Sequence, residues 1–213
     1  MKVAIFGANG ATGRLLTEYA LKEGHEIVAL IRNPDAFKFR EQVRVVRGSV
    51  FDLRVVKKTL EGVGAVFSAL GAHSPLRNEN VLPRAVPVIV QAMQELGIDR
   101  IIALGSAGAR PDSLDKQSAW RRWFVQNVVY TLLLKWPVRE QRVQYELLSN
   151  SGLDWTMVMP SMLTNAARTG SYRVDGEALP AGSSHISRAD VAHFMVQELI
   201  RKEWCQRGVY IGN

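Results

Sequence analysis

Little in this sequence is set aside for covalent or metal-based stabilisation. Its one cysteine, Cys205, excludes an intramolecular disulfide and suits a reducing compartment, so a cytoplasmic location is expected. The four histidines show no metal-ligand spacing with it, and no metal is expected. No apolar run approaches the length of a membrane span, and a strand-like run starting at residue 2 leaves no room for a signal peptide. The net charge is +7, yet no block of consecutive basic residues, zinc-finger spacing or aromatic-plus-basic RNA motif accompanies it. Nucleic acid is therefore not an expected partner. A solvated surface and an anionic small molecule account for the charge instead.

What the sequence does have is concentrated at its start. The apolar run Lys2-Val3-Ala4-Ile5-Phe6 drops into Gly7-Ala8-Asn9-Gly10-Ala11-Thr12-Gly13-Arg14, three glycines spaced three apart. A buried strand turning sharply into a helix N-terminus has this pattern. At such a junction backbone N–H groups and the positive end of the helix dipole meet a phosphate. One glycine makes the tight turn, the next lets a diphosphate approach the backbone, and the third lets the helix pack on the strand. The spacing differs from the best-known dinucleotide fingerprint, Gly-x-Gly-x-x-Gly, but the mechanics are similar.

Strand and helix signals then alternate. The pattern predicts a helix over 12–23 closed by Gly24, a strand over 25–31, a short helix from Asn33-Pro34 and a strand over 43–47. A helix over 53–60 capped by Asp52 and a strand over 64–70 follow. Next come a helix with its main body over 87–96, Pro83 and Pro87 lying in its opening turns, and a fifth strand over 100–104. The second half is less regular. It holds a loop at 109–113, a strongly apolar helix from about 116 to 135 stopped by Pro137, a helix over 138–149 and a sixth strand over 154–159. The apolar helix carries Trp120, Trp123, Phe124 and, at its end, Trp136. It is expected to be mainly core, with an aromatic edge available for a self- or partner contact. Residues 161–186 are rich in small and polar side chains, with one short strand at 172–174, and are expected to form a substrate-covering flap. Ser187-Arg188-Ala189-Asp190 is a capping box opening the last helix, and 208–211 reads as an edge strand.

This order implies an α/β fold: a Rossmann-like doubly wound parallel sheet, helices on both faces, one domain over 1–213. Ligands of such sheets sit beyond the carboxyl ends of the strands. The candidate binding residues are therefore Gly7, Asn9, Gly10, Ala11, Thr12, Gly13 and Arg14, then Arg32, Ser49, Val50, Leu70, Gly71, Ser106 and Pro160. Arg32 stands nineteen residues after Gly13, where an acid would hold the ribose 2′-hydroxyl of NAD. A cation there suits the 2′-phosphate of NADP, and Arg14 is a second candidate for it. NADP(H) is the expected cofactor, favoured over NAD(H).

Carbonyl reduction on this fold needs a tyrosine acid with a lysine one helical turn away. Tyr130 has Leu134 four residues on, and Lys135, one further, lies about 140° round the helix. Tyr145 has Ser149 at that offset, and Tyr19, Tyr172 and Tyr210 fall outside the relevant helix. The pair is missing, as is the Gly-x-Ser-x-Gly elbow of a serine hydrolase.

The opening glycine motif, Arg32, Leu70-Gly71, Ser106, the stretch from Ser151-Gly152-Leu153 to Val158-Met159-Pro160, and Ser187-Arg188-Ala189-Asp190-Val191-Ala192 together carry a resemblance. The chain resembles the atypical short-chain dehydrogenases of the NmrA-like NAD(P)-binding family, and within it the flavin reductase/biliverdin-IXβ reductase type. The resemblance covers nearly the whole chain. It implies an NADPH-dependent oxidoreductase passing hydride to a planar conjugated small-molecule acceptor such as a flavin, quinone or tetrapyrrole, without the Tyr/Lys pair. It also implies Ser106 as the catalytic-position serine, with His73, Ser161, Met162 and Asn165 on the substrate side. There are two departures: Met162 stands where that type has histidine, which bears on the substrate, and Ser49 stands where it has aspartate near the adenine amino group, which loosens one adenine contact. A non-catalytic NADP(H)-sensing, partner-binding protein and a nucleotide-sugar epimerase stay as alternatives on the same fold.

Overall fold

The early strands are apolar on both sides because helices cover both faces of the sheet they build. The structure, a computed structural model, describes residues 1–213 apart from His73 and Pro75. Its strands are β1 (Lys2–Phe6), β2 (Glu26–Ile31), β3 (Arg44–Arg47), β4 (Ala65–Ser68), β5 (Arg100–Leu104), β6 (Asp154–Pro160), β7 (Met162–Thr164), β8 (Arg173–Asp175), β9 (His185–Ser187) and β10 (Arg207–Gly212). The helices are α1 (Ala11–Lys22), α2 (Leu53–Leu60), α3 (Val81–Leu96), α4 (Ala119–Phe124), α5 (Lys135–Ser149) and α6 (Arg188–Arg201).

The main sheet has the order β3-β2-β1-β4-β5-β6-β10-β8, parallel throughout except that β8 runs antiparallel to β10. The chain builds outward from β1 to β3, then returns to β4 on the other side of β1. The switch point lies between β1 and β4. Side-chain alternation along β1 divides the interior into two cores. Val3 and Ile5 share one with Leu16 and Ala20 of α1 and Val191 and Met195 of α6. Ala4 and Phe6 share the other with Val56 of α2 and Ile89 and Met93 of α3. Burying each large apolar side chain of this kind contributes about 1.5–3 kcal/mol.

Local signals close the helices where expected. Gly24 takes φ +75° after α1, with its N–H on Leu21 and the His25 N–H on the Ala20 carbonyl. Asp52 caps α2 through the Arg54 and Val55 N–H groups at 2.9 and 3.4 Å. Ser187 caps α6 by accepting the Asp190 N–H at 2.9 Å.

Four expectations need correction. The 208–211 strand is not an edge: β10 pairs with β6 on one side and β8 on the other, because the α6 crossover returns the chain beside β6. The helix with its main body expected over 87–96 starts at Val81, so Pro83 is in its first turn as expected, but Pro87 stands inside the helix one turn further on. Pro87 is exposed, and its missing N–H leaves only the Pro83 carbonyl without an intrahelical donor. Residues 161–186 hold three strands rather than one, with β7 and β9 paired parallel as a separate two-stranded sheet. The apolar helix is neither continuous nor core. α4 passes at Val125 into a wider π-helical stretch, Val125–Leu133, whose end is marked by the Leu134 N–H on the Val129 carbonyl at 2.8 Å. Pro137 does not stop it but lies in the first turn of α5, where it lacks the N–H that would reach Leu133. No residue of α4 or of the π-helical stretch is buried.

Candidate functional site

The glycine loop lies at the switch point, with Gly7 against the Ala69 carbonyl and both Gly10 and Gly13 against the Gly7 carbonyl. Gly7 has φ +83°, and a Cβ there would meet the Ala69 carbonyl oxygen, just past β4, at 2.5 Å. Cβ atoms on Gly10 and Gly13 would lie 3.2 and 2.1 Å from the Gly7 carbonyl oxygen. That oxygen accepts the Gly10 N–H at 3.0 Å, closing the turn. The result is an α1 N-terminus with no side-chain cap and no acid in its first turn. Gly10 and Ala11 are exposed there, while Thr12 is buried. Uncapped N–H groups at the positive end of a helix dipole, in a cradle that any Cβ would fill, suit a diphosphate. Arg14 adds a cation beside them, held on Asn9 Oδ1 through Nε at 3.1 Å and Nη2 at 2.8 Å.

The other candidate residues follow the strand ends. Arg32 is exposed directly after β2, whose last carbonyl, on Ile31, takes the Gly48 N–H at 3.2 Å. The Ser49 hydroxyl accepts the Phe51 N–H at 3.2 Å and so shapes its own turn, while Val50 packs against the α2–α3 core. The Ala69 N–H donates to the Phe6 carbonyl at 2.8 Å and pins the end of β4 beside the glycine loop. Leu70 is half-buried, and a Cβ on Gly71 would have no described atom within 4 Å.

Ser106 follows β5 and is half-buried. Its carbonyl closes the 107–109 turn by accepting the Ala109 N–H at 3.0 Å, and its hydroxyl caps nothing there. Pro160 is buried at the end of β6. The Ser161 hydroxyl is buried without a partner among the described residues, beside Gly212, so it faces the sheet rather than an open surface. Met162 is 69% exposed. Asn165 Oδ1 accepts from Arg188 Nη1 at 2.7 Å and joins Arg14 in lining a groove of about 610 Å³ over the first turns of α1. Lys38, Phe39 and Arg168 complete that groove's rim. His73 lies outside the described residues. Among the described residues no cluster of His, Cys, Asp or Glu is placed to hold a metal ion, and no helix is long and apolar enough to cross a membrane.

Asp190, in the first turn of α6, fixes the 161–186 segment to that helix. Its carboxylate accepts the Gly170 N–H at 2.8 Å, the Thr169 N–H at 3.0 Å and the Thr169 and Ser187 hydroxyls at 3.0 and 2.6 Å. Burial pushes this carboxyl up, but the hydrogen bonds from Ser187, Gly170 and Thr169 outweigh it and hold it below the ordinary carboxylate value. The capping-box acid thus holds both the Ser187 hydroxyl at its own helix start and the 169–170 loop.

Two features were not singled out from the sequence. Ser68, the last residue of β4, is 2% exposed with an unpartnered hydroxyl among the described residues, opposite Phe6 at the switch point. A lone polar residue closing Ala65-Val66-Phe67 was its signal. Lys38, Arg168 and Arg188 join Arg14 around the α1 groove from segments far apart in sequence, so no local pattern could have grouped them.

Residues 7–202 match a protein family described as NAD(P)H-binding. The chain is 28% identical to the uncharacterized protein YwnB of Bacillus subtilis (strain 168), covering 95% of this chain and 94% of that one. It is 25% identical to the reductase pytE of Aspergillus terreus over 94% and 92% of the two chains. Among solved structures, the anaerobilin reductase ChuY of Escherichia coli O157:H7 superposes with a TM-score of 0.81 at 24% identity, covering 99% of this chain and 96% of that one. With the glycine cradle at the switch point and a match over almost its whole length, the chain belongs to the NAD(P)H-binding family.

Proposed function

We propose that the chain is an NADPH-dependent oxidoreductase reducing a planar conjugated acceptor such as a flavin, a quinone or a linear tetrapyrrole. One observation carries this reading. The uncapped α1 N-terminus has two arginines near it, Arg14 in the first turn and Arg32 after β2, where NAD-specific folds place a carboxylate. In this reading Gly7 and Gly10 to Gly13 hold the diphosphate, and Arg32 and Arg14 hold the 2′-phosphate. Ser49 and Val50 border the adenine, and Leu70, Gly71 and Pro160 border the nicotinamide side. The bound cofactor supplies a hydride. The Ser106 hydroxyl, which caps no turn, hydrogen-bonds the nicotinamide amide or the acceptor. The required proton comes from solvent, so the missing Tyr/Lys pair is no obstacle. Met162, exposed at the start of the 161–186 flap, offers an apolar edge to an aromatic acceptor, with Ser161 and Asn165 close to it in the sequence. The relative named a reductase, pytE, supports redox chemistry.

The test is NADPH oxidation by the purified protein with flavin mononucleotide, dichlorophenol-indophenol and several quinones. Turnover well above the protein-free rate is expected with at least one. Tight NADPH binding with no turnover on any acceptor would overturn the reading and make the chain a cofactor sensor.

A further inference from the structure

Exposed apolar side chains gather on α4 and the π-helical stretch that continues it. Five of the twelve exposed large apolar side chains among the described residues fall within 120–133: Trp120, Trp123, Phe124, Leu132 and Leu133. Trp120 and Leu132 are each 70% exposed. The Trp120 and Phe124 rings stack at 5.3 Å, which leaves a continuous aromatic face rather than scattered contacts. An exposed cluster of this kind marks an interaction surface.

The start of α4 and the inner side of the stretch after it are fastened to the protein. Gln117 Nε2 donates to the Leu179 and Pro180 carbonyls at 2.9 and 3.0 Å, and Arg121 donates to Gln117 Oε1 and to the Ser183 carbonyl. Val125 and Tyr130 pack on the core. The aromatic face therefore has a fixed direction, outward.

Charge decides what covers it. Residues 116–142 hold six Lys or Arg and one acid, Glu140, which is buried. Asp175 and Glu177 neutralise Lys116, and Asp115 lies 3.5 Å from Arg122 in an exposed pair. Arg122, between Trp120 and Trp123, and Lys135, two residues past Leu133, remain exposed, as does Arg139 one turn further on α5. Two copies meeting face to face would bring these like charges together, which disfavours a second copy. Tryptophan and leucine on one side with arginine and lysine at the margins are the composition of a helix lying in a lipid interface. We propose that this face docks the protein reversibly onto an anionic lipid bilayer, with Trp120, Trp123 and Leu132 entering the headgroup boundary and Arg122, Lys135 and Arg139 on the lipid phosphates.

The test is co-sedimentation with vesicles of phosphatidylcholine alone and of phosphatidylcholine with phosphatidylglycerol, read alongside tryptophan emission. Binding with a blue shift is expected only on the anionic vesicles, and added salt should release it. The Trp120→Ser/Trp123→Ser protein, with an unchanged circular dichroism spectrum, should lose binding. Arg122→Gln with Lys135→Gln should weaken binding by roughly thirtyfold. No binding to anionic vesicles at low salt would overturn the proposal, as would equal binding to both vesicle types. A concentration-dependent dimer abolished by the double tryptophan variant, without vesicle binding, would assign the face to a second copy instead.

Discussion

The carbonyl oxygen of Gly7 occupies the space a side chain on Gly13 would need, 2.1 Å from the position of its Cβ. The oxygen and the Cα that would carry the methyl both belong to the backbone of the β1–α1 turn, so neither can yield without moving β1 or α1. Gly13→Ala should therefore destabilise the protein by about 1–3 kcal/mol and lower cofactor affinity. Gly71→Ala, where the new methyl meets no described atom within 4 Å, should leave the melting temperature unchanged. Thermal unfolding of the two variants checks this, and equal effects would contradict the cradle.

Arg32 and the choice of cofactor form the second prediction. Losing a charge-assisted hydrogen bond costs about 1.5–3 kcal/mol, so Arg32→Ala should weaken NADPH roughly tenfold or more and leave NADH little changed. Isothermal titration with both cofactors measures the ratio. Equal losses would mean that Arg32 does not touch the 2′-phosphate.

Ser106→Ala should lower turnover about tenfold while NADPH affinity changes little, since the hydroxyl caps no turn and its removal leaves the fold intact. Steady-state kinetics with the best acceptor, beside a binding titration, separate the two effects. Unchanged turnover would remove Ser106 from the chemistry.

Asp190 ties Thr169 and Gly170 to α6, and its variants test whether the 161–186 segment is held there. Asp190→Ala should cost about 3 kcal/mol, because several donors lose one charged acceptor. Hydrogen exchange of the Thr169 and Gly170 amides should rise. The sign of the pH effect follows from the lowered native value. The stabilisation is complete above the ordinary aspartate value of about 4 and is lost as pH falls through the depressed one. Asp190→Asn should remove that part of the acid dependence, and an unchanged acid unfolding profile would argue against it.

Much of the fold was legible because its signals are local. The β1–glycine–α1 junction, the Asp52 and Ser187 caps and the glycine terminators each depend on residues within a few positions of one another. So do the alternating strands and helices, which set the Rossmann-like order. The exceptions depend on long-range placement. An apolar stretch such as 125–133 has no periodicity that tells core from surface, and its exposure was decided by α5 and the turn at Gly108 claiming its inner side at Tyr130. β10 became interior because α6 delivers it beside β6, and β8 then covers its free edge.

The same division holds for the site. From the sequence alone came the glycine cradle, Arg32 after β2 and Ser106 after β5, since each stands at a fixed distance from a strand end and the sheet brings those ends together. Only the tertiary structure grouped Arg14 with Lys38, Arg168 and Arg188, turned the Ser161 hydroxyl toward Gly212, and left Trp120 and Trp123 facing outward. Those outcomes depend on which surfaces meet across the chain, and a linear pattern carries no record of that packing.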